Sequence, residues 1–334
     1  MLDAPRLAIL VPALNAAATI EECVRSAVAQ EGAAVEVIVA DDGSTDGTPA
    51  LAEAGGARVL RLGERRGPGA ARNAAAAAAH AGVLLVVDAD VTLPPDLAAR
   101  VLALLDADPR LDGVIGAYTP DTPAPGWVTR FKNLQHHFVH RTNAGPVSTF
   151  WGACGAIRRR VFEAAGGFVE AMPHEVLEDV ELGYRVTGAG GRLRLDPSLR
   201  VTHHRRYSLA SLVHSDLRYR AIPWTRTLLE RGEERRDLVL KRRGVAGTAG
   251  VALALASLAT APFWPPALIV SAVALGATIA LDAPFHLFVA RRAGVRFVPL
   301  AIALQLLYHV VCGLGFALGH LGHRRAPRAA PAAS

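Results

Sequence analysis

Residues 83–90 read Val83-Leu84-Leu85-Val86-Val87-Asp88-Ala89-Asp90, an unbroken apolar run that stops at two carboxylates. A short run of this kind, bounded by polar residues and rich in β-branched side chains, marks a strand buried on both faces. The same unit recurs on either side of it. Leu7–Val11, Val35–Ala40, Val59–Leu62 and Val114–Tyr118 read as strands, and Thr19–Glu31, Pro49–Ala54, Ala70–Ala81 and Pro95–Asp106 as the helices between them. Apolar strands alternating with amphipathic helices predict βαβ units, and therefore an α/β domain with a mainly parallel sheet. Such sheets bind ligands at the carboxyl ends of their strands, so the loops after each run are where chemistry is expected.

Those loops are polar in a consistent way. Pro12-Ala13-Leu14-Asn15 follows the first strand, Asp41-Asp42-Gly43-Ser44-Thr45-Asp46-Gly47-Thr48 the second, and Asp88-Ala89-Asp90 the strand quoted above. Alternate residues of an extended backbone point to one side. Asp88 and Asp90 can therefore hold a divalent cation through oxygen ligands and leave its other positions to diphosphate oxygens. Taken alone, an Asp-x-Asp is also a turn or a helix cap; its weight comes from its company. Asp41 and Asp42 offer acceptors to a base N–H or to ribose hydroxyls, and Gly43 and Gly47 allow tight turns. Gly67-Pro68-Gly69-Ala70-Ala71-Arg72-Asn73 opens a helix whose N-terminal amides, with Arg72, can face negative charge.

The chain has 334 residues, 51% of them hydrophobic and only 6% aromatic, with a formal net charge of +6. With a mean hydropathy of +0.26, this excludes a disordered tail protein and a collagen-like repeat. Cys23, Cys154 and Cys312 have no pair spacing, so neither a disulfide framework nor a zinc pattern is expected, and Cys154 reads as a small packed residue. The stretch Met1–Arg6 does not lead into a signal-peptide core. The surplus apolar residues collect after Val245. Val245–Thr260, Ala267–Leu281 and Val298–Leu321 approach the roughly 20 residues that span a bilayer, so about three transmembrane helices are expected. Lys241-Arg242-Arg243, and Arg291, Arg292 and Arg296, place both flanks in the cytoplasm by the charge bias of loops, together with the N-terminal domain. The basic tail His323-Arg324-Arg325 with Arg328 conflicts with an odd number of spans: either the third segment is re-entrant or the tail lies outside. Asp282 is expected at the interfacial end of the second span rather than as a buried functional acid. Thr225–Arg243 is basic and amphipathic, fit to lie on anionic headgroups or simply to be solvated. The resulting domain plan is 1–224 catalytic, 225–244 interfacial linker, 245–322 transmembrane and 323–334 tail. No basic patch interleaved with aromatics points to nucleic acid.

The ordered set of motifs resembles family 2 glycosyltransferases, which have the A-type, Rossmann-like nucleotide-sugar transferase fold. Two further segments carry the resemblance. Trp151-Gly152-Ala153-Cys154-Gly155-Ala156-Ile157-Arg158-Arg159, with Gly166-Gly167-Phe168, is similar to that family's acceptor-side segment. Glu178-Asp179-Val180-Glu181-Leu182-Gly183-Tyr184-Arg185 resembles its Glu-Asp-x-x-Leu-x-x-Arg motif. Together they cover about Leu7 to His203. Leu14 departs from the pattern, where the family often has Tyr. The resemblance implies that Pro12, Asn15, Asp41, Asp42, Arg72 and Asp88 bind the nucleotide-sugar, that Asp88 and Asp90 hold Mn²⁺ or Mg²⁺, and that Asp179 is the catalytic base. Trp151, Gly152 and Glu178 fall on the acceptor side; Glu178 either orients the acceptor or caps a helix.

An inverting displacement independently needs one carboxylate to take the acceptor hydroxyl's proton, and Asp179 at a helix start is expected to stay ionised at neutral pH. His203, in Val201-Thr202-His203-His204, is either a third metal ligand or a packed histidine. His136, His137 and His140 fall on a predicted helix, Trp127–Arg141; the spacing of His136 and His140 permits metal binding, but the histidine face is expected to meet lipid headgroups or acceptor. The implied whole is a multi-pass inner- or plasma-membrane enzyme of envelope glycan assembly. It would move a sugar from a nucleotide-diphosphate donor to a lipid-linked or membrane-proximal hydroxyl. Processive synthases of the family usually carry Gln-x-x-Arg-Trp after the base, which Asp216–Trp224 does not match. Gly67–Arg72 lacks the last glycine of a dinucleotide fingerprint, which disfavours a dehydrogenase. A non-catalytic scaffold is disfavoured by the presence of Asp88, Asp90 and Asp179 together.

Overall fold

The computed structural model describes residues 5–170, 177–231 and 242–325. Residues 326–334 of the expected tail, half of the linker (232–241) and Met1–Ala4 lie outside the described residues. The chain divides into two compact units, changing over between Ser208 and Leu209.

The first unit contains β1 (Leu7–Ala13), α1 (Ile20–Val28), β2 (Val35–Asp41), α2 (Thr48–Ala54), β3 (Arg58–Arg61), α3 (Pro68–Ala78), β4 (Val83–Val87), β5 (Val91–Thr92) and α4 (Leu97–Ala107). It continues with β6 (Gly113–Tyr118), α5 (Trp127–Thr142), β7 (Gly145–Val147), β8 (Cys154–Arg158), α6 (Arg159–Ala164), α7 (Glu178–Gly188) and β9 (Leu193–His203). One mixed sheet runs β3-β2-β1-β4-β8-β6-β9-β5, with β7 on β9. The β3-β2-β1-β4 half is parallel throughout, as the alternating pattern predicts. β8 enters antiparallel between β4 and β6, a strand absent from the sequence expectation because Cys154–Arg158 reads as motif rather than as an apolar run.

β1 and β4 read as continuous apolar runs because each feeds two cores. In β1, Leu7, Ile9 and Val11 face one layer, with Ile20, Val24 and Ala27 of α1 and Leu97, Val101 and Leu105 of α4. Ala8 and Leu10 face the other, with Ala71 and Ala75 of α3, Phe162 of α6 and Leu182 and Val186 of α7. β4 divides the same way. Each fully buried Leu, Ile or Val contributes roughly 1.5–3 kcal/mol, and a one-residue register slip would swap the two sets of side chains. The chain leaves β1 for β2 on one side and later returns to β4 on the other. The carboxyl ends of β1 and β4 thus flank the point where strand order reverses, the usual ligand crevice of such sheets.

The second unit is helical: α8 (Leu209–Asp216), a π-helical turn (Leu217–Ala221), α9 (Ile222–Arg231), α10 (Arg242–Thr260), α11 (Ala267–Leu281), α12 (Ala283–Ala293) and α13 (Val298–Arg325). Two segments, Arg243–Thr260 and Val295–His323, are long and apolar enough to cross a membrane, and α11 with α12, bent by 60°, makes a third if the pair is one span. Asp282 stands at that bend. Its Oδ2 lies 2.8 Å from Nε2 of His309 in α13, whose Nδ1 meets Thr248 Oγ1 of α10 at 3.2 Å, so the break is pinned to both neighbouring helices. Along α13, Gly319 and Gly322 admit Thr225 and Arg226 of α9; a Cβ at Gly319 would lie 2.7 Å from that of Thr225. Large apolar side chains face outward, among them Phe263 (91% exposed), Ile269 and Val273.

Candidate active site

The loops after β1 and β2 are laced together. Asn15 takes a positive φ of 49°. Its N–H donates to Ser44 Oγ (2.9 Å), and its Oδ1 accepts from the Thr45 N–H (2.9 Å). Pro12 lies within β1, opposite Ala40. Asp41 and Asp42 are both buried. Asp42 accepts from the N–H groups of Arg66 (2.7 Å) and Gly67 (2.9 Å) and so fixes the entry to α3. Asp41 is different: Oδ2 accepts from Ser44 N–H, but the buried Oδ1 has no partner. Of the two, Asp41 holds the open acceptor.

Asp88 and Asp90 leave the end of β4, and both are partly buried. Asp90 lies 3.5 Å from Nε2 of His203 at the end of β9. His203 is buried and stacks on Tyr118, with ring centroids 4.2 Å apart and planes within 6°. Burial, reinforced by the charge of Asp90, raises the Asp88 carboxyl above its ordinary range against the pull of Arg72 and His203. At Asp90 burial works in the same direction, but the His203 hydrogen bond and the charges of His203 and Arg205 outweigh it and hold the carboxyl low. Tyr118 and Arg205 escaped the sequence reading. Only the position of Tyr118 at a strand's carboxyl end marks it, and nothing in the local sequence marks Arg205.

Among the described residues no three His, Cys, Asp or Glu side chains form a metal cage by themselves. The donor set nonetheless suits a divalent cation that brings further ligands with it. Two carboxylates stand together at this strand end, the charge of Asp90 makes ionised Asp88 more costly, and an imidazole stands beside Asp90.

The Glu-Asp segment forms the first turn of α7, and each of its characteristic residues has a separate task. Glu178, buried, pairs with Nη1 of Arg72. Asp179 accepts from the Gly152 N–H at Oδ2 (2.9 Å) and from the Val180 N–H at Oδ1 (2.7 Å). Leu182 is fully buried in the core, and Arg185 donates to the carbonyls of Ala165 and Gly167. Asn73, next to Arg72, bonds both the N–H and the carbonyl of Phe168 at 2.8 Å, so the Gly-Gly-Phe turn is anchored from two sides. α7 packs tightly against the segment that joins β7 to β8. A Cβ at Gly183 would meet Thr149 C at 2.6 Å and Ser148 O at 2.7 Å.

The ionisation of Asp179 departs from expectation. Burial, then the charge of Glu178, outweighs Arg72 and the two N–H bonds and raises its pKa to about 7. The helix N-terminus does not keep it fully ionised at neutral pH, because lost hydration costs more than the terminal dipole returns.

Trp151 is half-buried, edge-on to Tyr118 (4.6 Å) and 4.2 Å from the His140 ring. The expectation that the histidine face of α5 meets lipid or acceptor fails for two of its three members. His137 and His140 are buried; His137 Nδ1 bonds the Tyr118 carbonyl at 2.7 Å, and His140 backs Trp151. The helix turns these rings inward to fill the space beside β6. Cys154 is buried and its thiol is pushed up to about 12, a packed residue as expected. A cavity of about 480 Å³ that includes Thr92, Arg200 and Thr202 lies on the face of the β5–β9 ladder opposite His203, apart from the carboxylates.

The family model "Glycosyl transferase family 2" matches residues 8–166. The succinoglycan biosynthesis protein ExoO of Rhizobium meliloti (strain 1021) is 44% identical over 106 residues, which is 31% of this chain and 30% of that protein. The N-acetylglucosaminyl-diphospho-decaprenol L-rhamnosyltransferase of Mycobacterium tuberculosis (strain CDC 1551 / Oshkosh) is 30% identical over 216 residues, 52% of this chain and 68% of that protein. A solved structure, the mannosyltransferase PcManGT from Pyrobaculum calidifontis in complex with GDP-Man and Mn²⁺, superposes with a TM-score of 0.59. It is 21% identical, over 95% of this chain and 88% of that one, which is a likeness of fold. The five motifs in order, the sheet that brings Asp41, Asp88 and Asp90 to its carboxyl edge, and these alignments have one conclusion: the chain belongs to glycosyl transferase family 2.

Proposed function

We propose that this chain is a membrane-anchored, inverting glycosyltransferase. It moves a sugar from a nucleotide-diphosphate donor to a hydroxyl of a lipid-linked or membrane-proximal acceptor. The observation that carries the reading is the link between Asp88 and the first turn of α7: one buried guanidinium joins the strand-end carboxylate to the turn that presents Asp179.

On this reading the nucleoside lies over the β1 and β2 loops, where Asp41 Oδ1 is the open acceptor. Asp88 and Asp90, with His203 beside them, would hold Mn²⁺ or Mg²⁺. The cation, when bound, neutralises charge on the departing diphosphate. Asp179 takes the proton of the acceptor hydroxyl as that oxygen attacks the anomeric carbon. A base with a pKa near 7 suits this task, being largely ionised just above neutrality and still strong enough to accept the proton. The Gly152 N–H holds Oδ2 of that carboxylate in place. No protein acid is required at the leaving group. Trp151 and Gly152 border the acceptor side. α10, α11–α12 and α13 anchor the enzyme as a multi-pass protein, with the catalytic domain cytoplasmic, and the outward apolar residues of α11 face lipid. The relatives' printed names, succinoglycan biosynthesis and a diphospho-decaprenol acceptor, support an envelope-glycan role.

The test is release of nucleoside diphosphate by the detergent-solubilised chain. A panel of UDP-, GDP- and dTDP-sugars is offered with Mn²⁺ or Mg²⁺ and a membrane lipid extract, beside an Asp90→Ala control. Metal-dependent release from one donor, absent in the control, is expected; release from none would sink the proposal.

A further inference from the structure

Arg72 stands near the start of α3 with only 5% of its surface exposed, although arginine is ordinarily a surface residue. Both ends of its planar fork are taken. Nη1 donates to Glu178 Oε1, and Nη2 to Asp88 Oδ1 at 3.1 Å. Two neighbours crowd it as well: the Phe168 ring lies 5.4 Å from Cζ, and a Cβ on Gly152 would sit 2.7 Å from Nη2. Nε has no hydrogen-bond partner. The sequence reading gives this guanidinium to the donor, yet in the fold it is committed to two protein carboxylates that stand 16 and 106 residues away along the chain.

We propose that Arg72 is a positioning residue: it locks Asp88 to the first turn of α7 and so fixes the separation between the donor side and the base, instead of binding the donor. The proposal rests on the reading of Asp88 and Asp179 given above. Two observations and two general principles support it. The bond to Glu178 adjoins Asp179 directly, so a move of the guanidinium is a move of the base. Gly152 serves the same lock from the other side, because its N–H holds Asp179 Oδ2 while its missing Cβ makes room for Nη2. A flat fork can hold two carboxylates at a set spacing, which an ammonium cannot. Finally, a buried ion pair adds little to stability compared with an apolar replacement, and its best-attested use is to fix one arrangement among several.

The experiment compares wild type, Arg72→Ala and Arg72→Lys as full chains in detergent. Amide hydrogen exchange is followed without ligand, and turnover with the donor that wild type accepts. In Arg72→Ala, kcat is expected to fall about 100-fold, the cost of a misplacement of about 1 Å, while donor KM stays within about threefold. Arg72→Lys should recover only a small part of kcat. Exchange of the Glu178–Gly188 amides and of the Gly152 N–H should quicken in both variants, while β1–β3 stay protected. A donor KM that rises by the whole factor lost from kcat/KM, with exchange in α7 unchanged, would overturn the proposal and make Arg72 a donor ligand. If Arg72→Ala does not fold, Arg72→Lys carries both measurements. If wild type releases no nucleoside diphosphate from any donor, the glycosyl-transfer reading fails, and the exchange of α7 still decides whether Arg72 holds it.

Discussion

Raising the pH should switch the reaction on through Asp179. Its carboxyl, held at about 7 by burial and by the charge of Glu178, must lose its proton before it can accept one from the acceptor. The sign follows directly: the active form increases with pH. With a midpoint near 7, the ionised fraction is roughly 9% at pH 6 and roughly 91% at pH 8, so kcat should rise about tenfold between them. An ordinary aspartate, ionising near 4, would give a flat line over the same range. The perturbation is Glu178→Gln, which removes the second cause of the raised value. A like charge beside a carboxylate shifts its ionisation by roughly 1–2 pH units, and about 1.4 kcal/mol is one pH unit. The midpoint should therefore drop by roughly 1–2 pH units in the variant, and Arg72, freed from one partner, adds to the drop. The assay is single-turnover release of nucleoside diphosphate with saturating donor, metal and acceptor from pH 5.5 to 8. A flat wild-type profile, or a midpoint that stays put in Glu178→Gln, would refute the reasoning.

Other consequences are more local. Asp42→Ala removes the acceptor for two loop N–H groups, so it should cost about 2–4 kcal/mol of stability, seen as a lower thermal midpoint even without ligand. Asp41→Asn keeps the bulk of the side chain but adds an amide where the buried acceptor is open. It should weaken nucleoside diphosphate binding in calorimetry by roughly tenfold, equivalent to about 1.4 kcal/mol, with little change in the thermal midpoint. Gly183→Ala forces α7 away from Thr149 and Phe150; a loss of about 1–3 kcal/mol and a fall in kcat are expected, whereas equal activity would mean that α7 tolerates displacement. Replacing Phe263 and Trp264 with Ser should reduce co-flotation with lipid vesicles, since both are more than half exposed at the α10–α11 turn.

Much of this protein was legible in one dimension. Strands buried on both faces have no choice but to be apolar throughout, so Leu7–Val11 and Val83–Val87 declared themselves and their class. The carboxylates at their ends stood out because a charge immediately after such a run must lie at the sheet's edge. The apolar helices after Val245 were legible for the same reason, their composition leaving few other environments. Tertiary structure alone decided which partner each polar group would take. Nothing in the local sequence says that Arg72 spends its fork on Asp88 and Glu178, that Asp42 serves two loop amides and leaves the open acceptor to Asp41, or that His137 and His140 turn inward. Nor does it say that Asp179 sits near 7, because that depends on how much water reaches it and which charges pack beside it. Periodicity and composition are properties of neighbours along the chain; partnership, hydration and charge coupling belong to neighbours in space, and these fix the chemistry of the site.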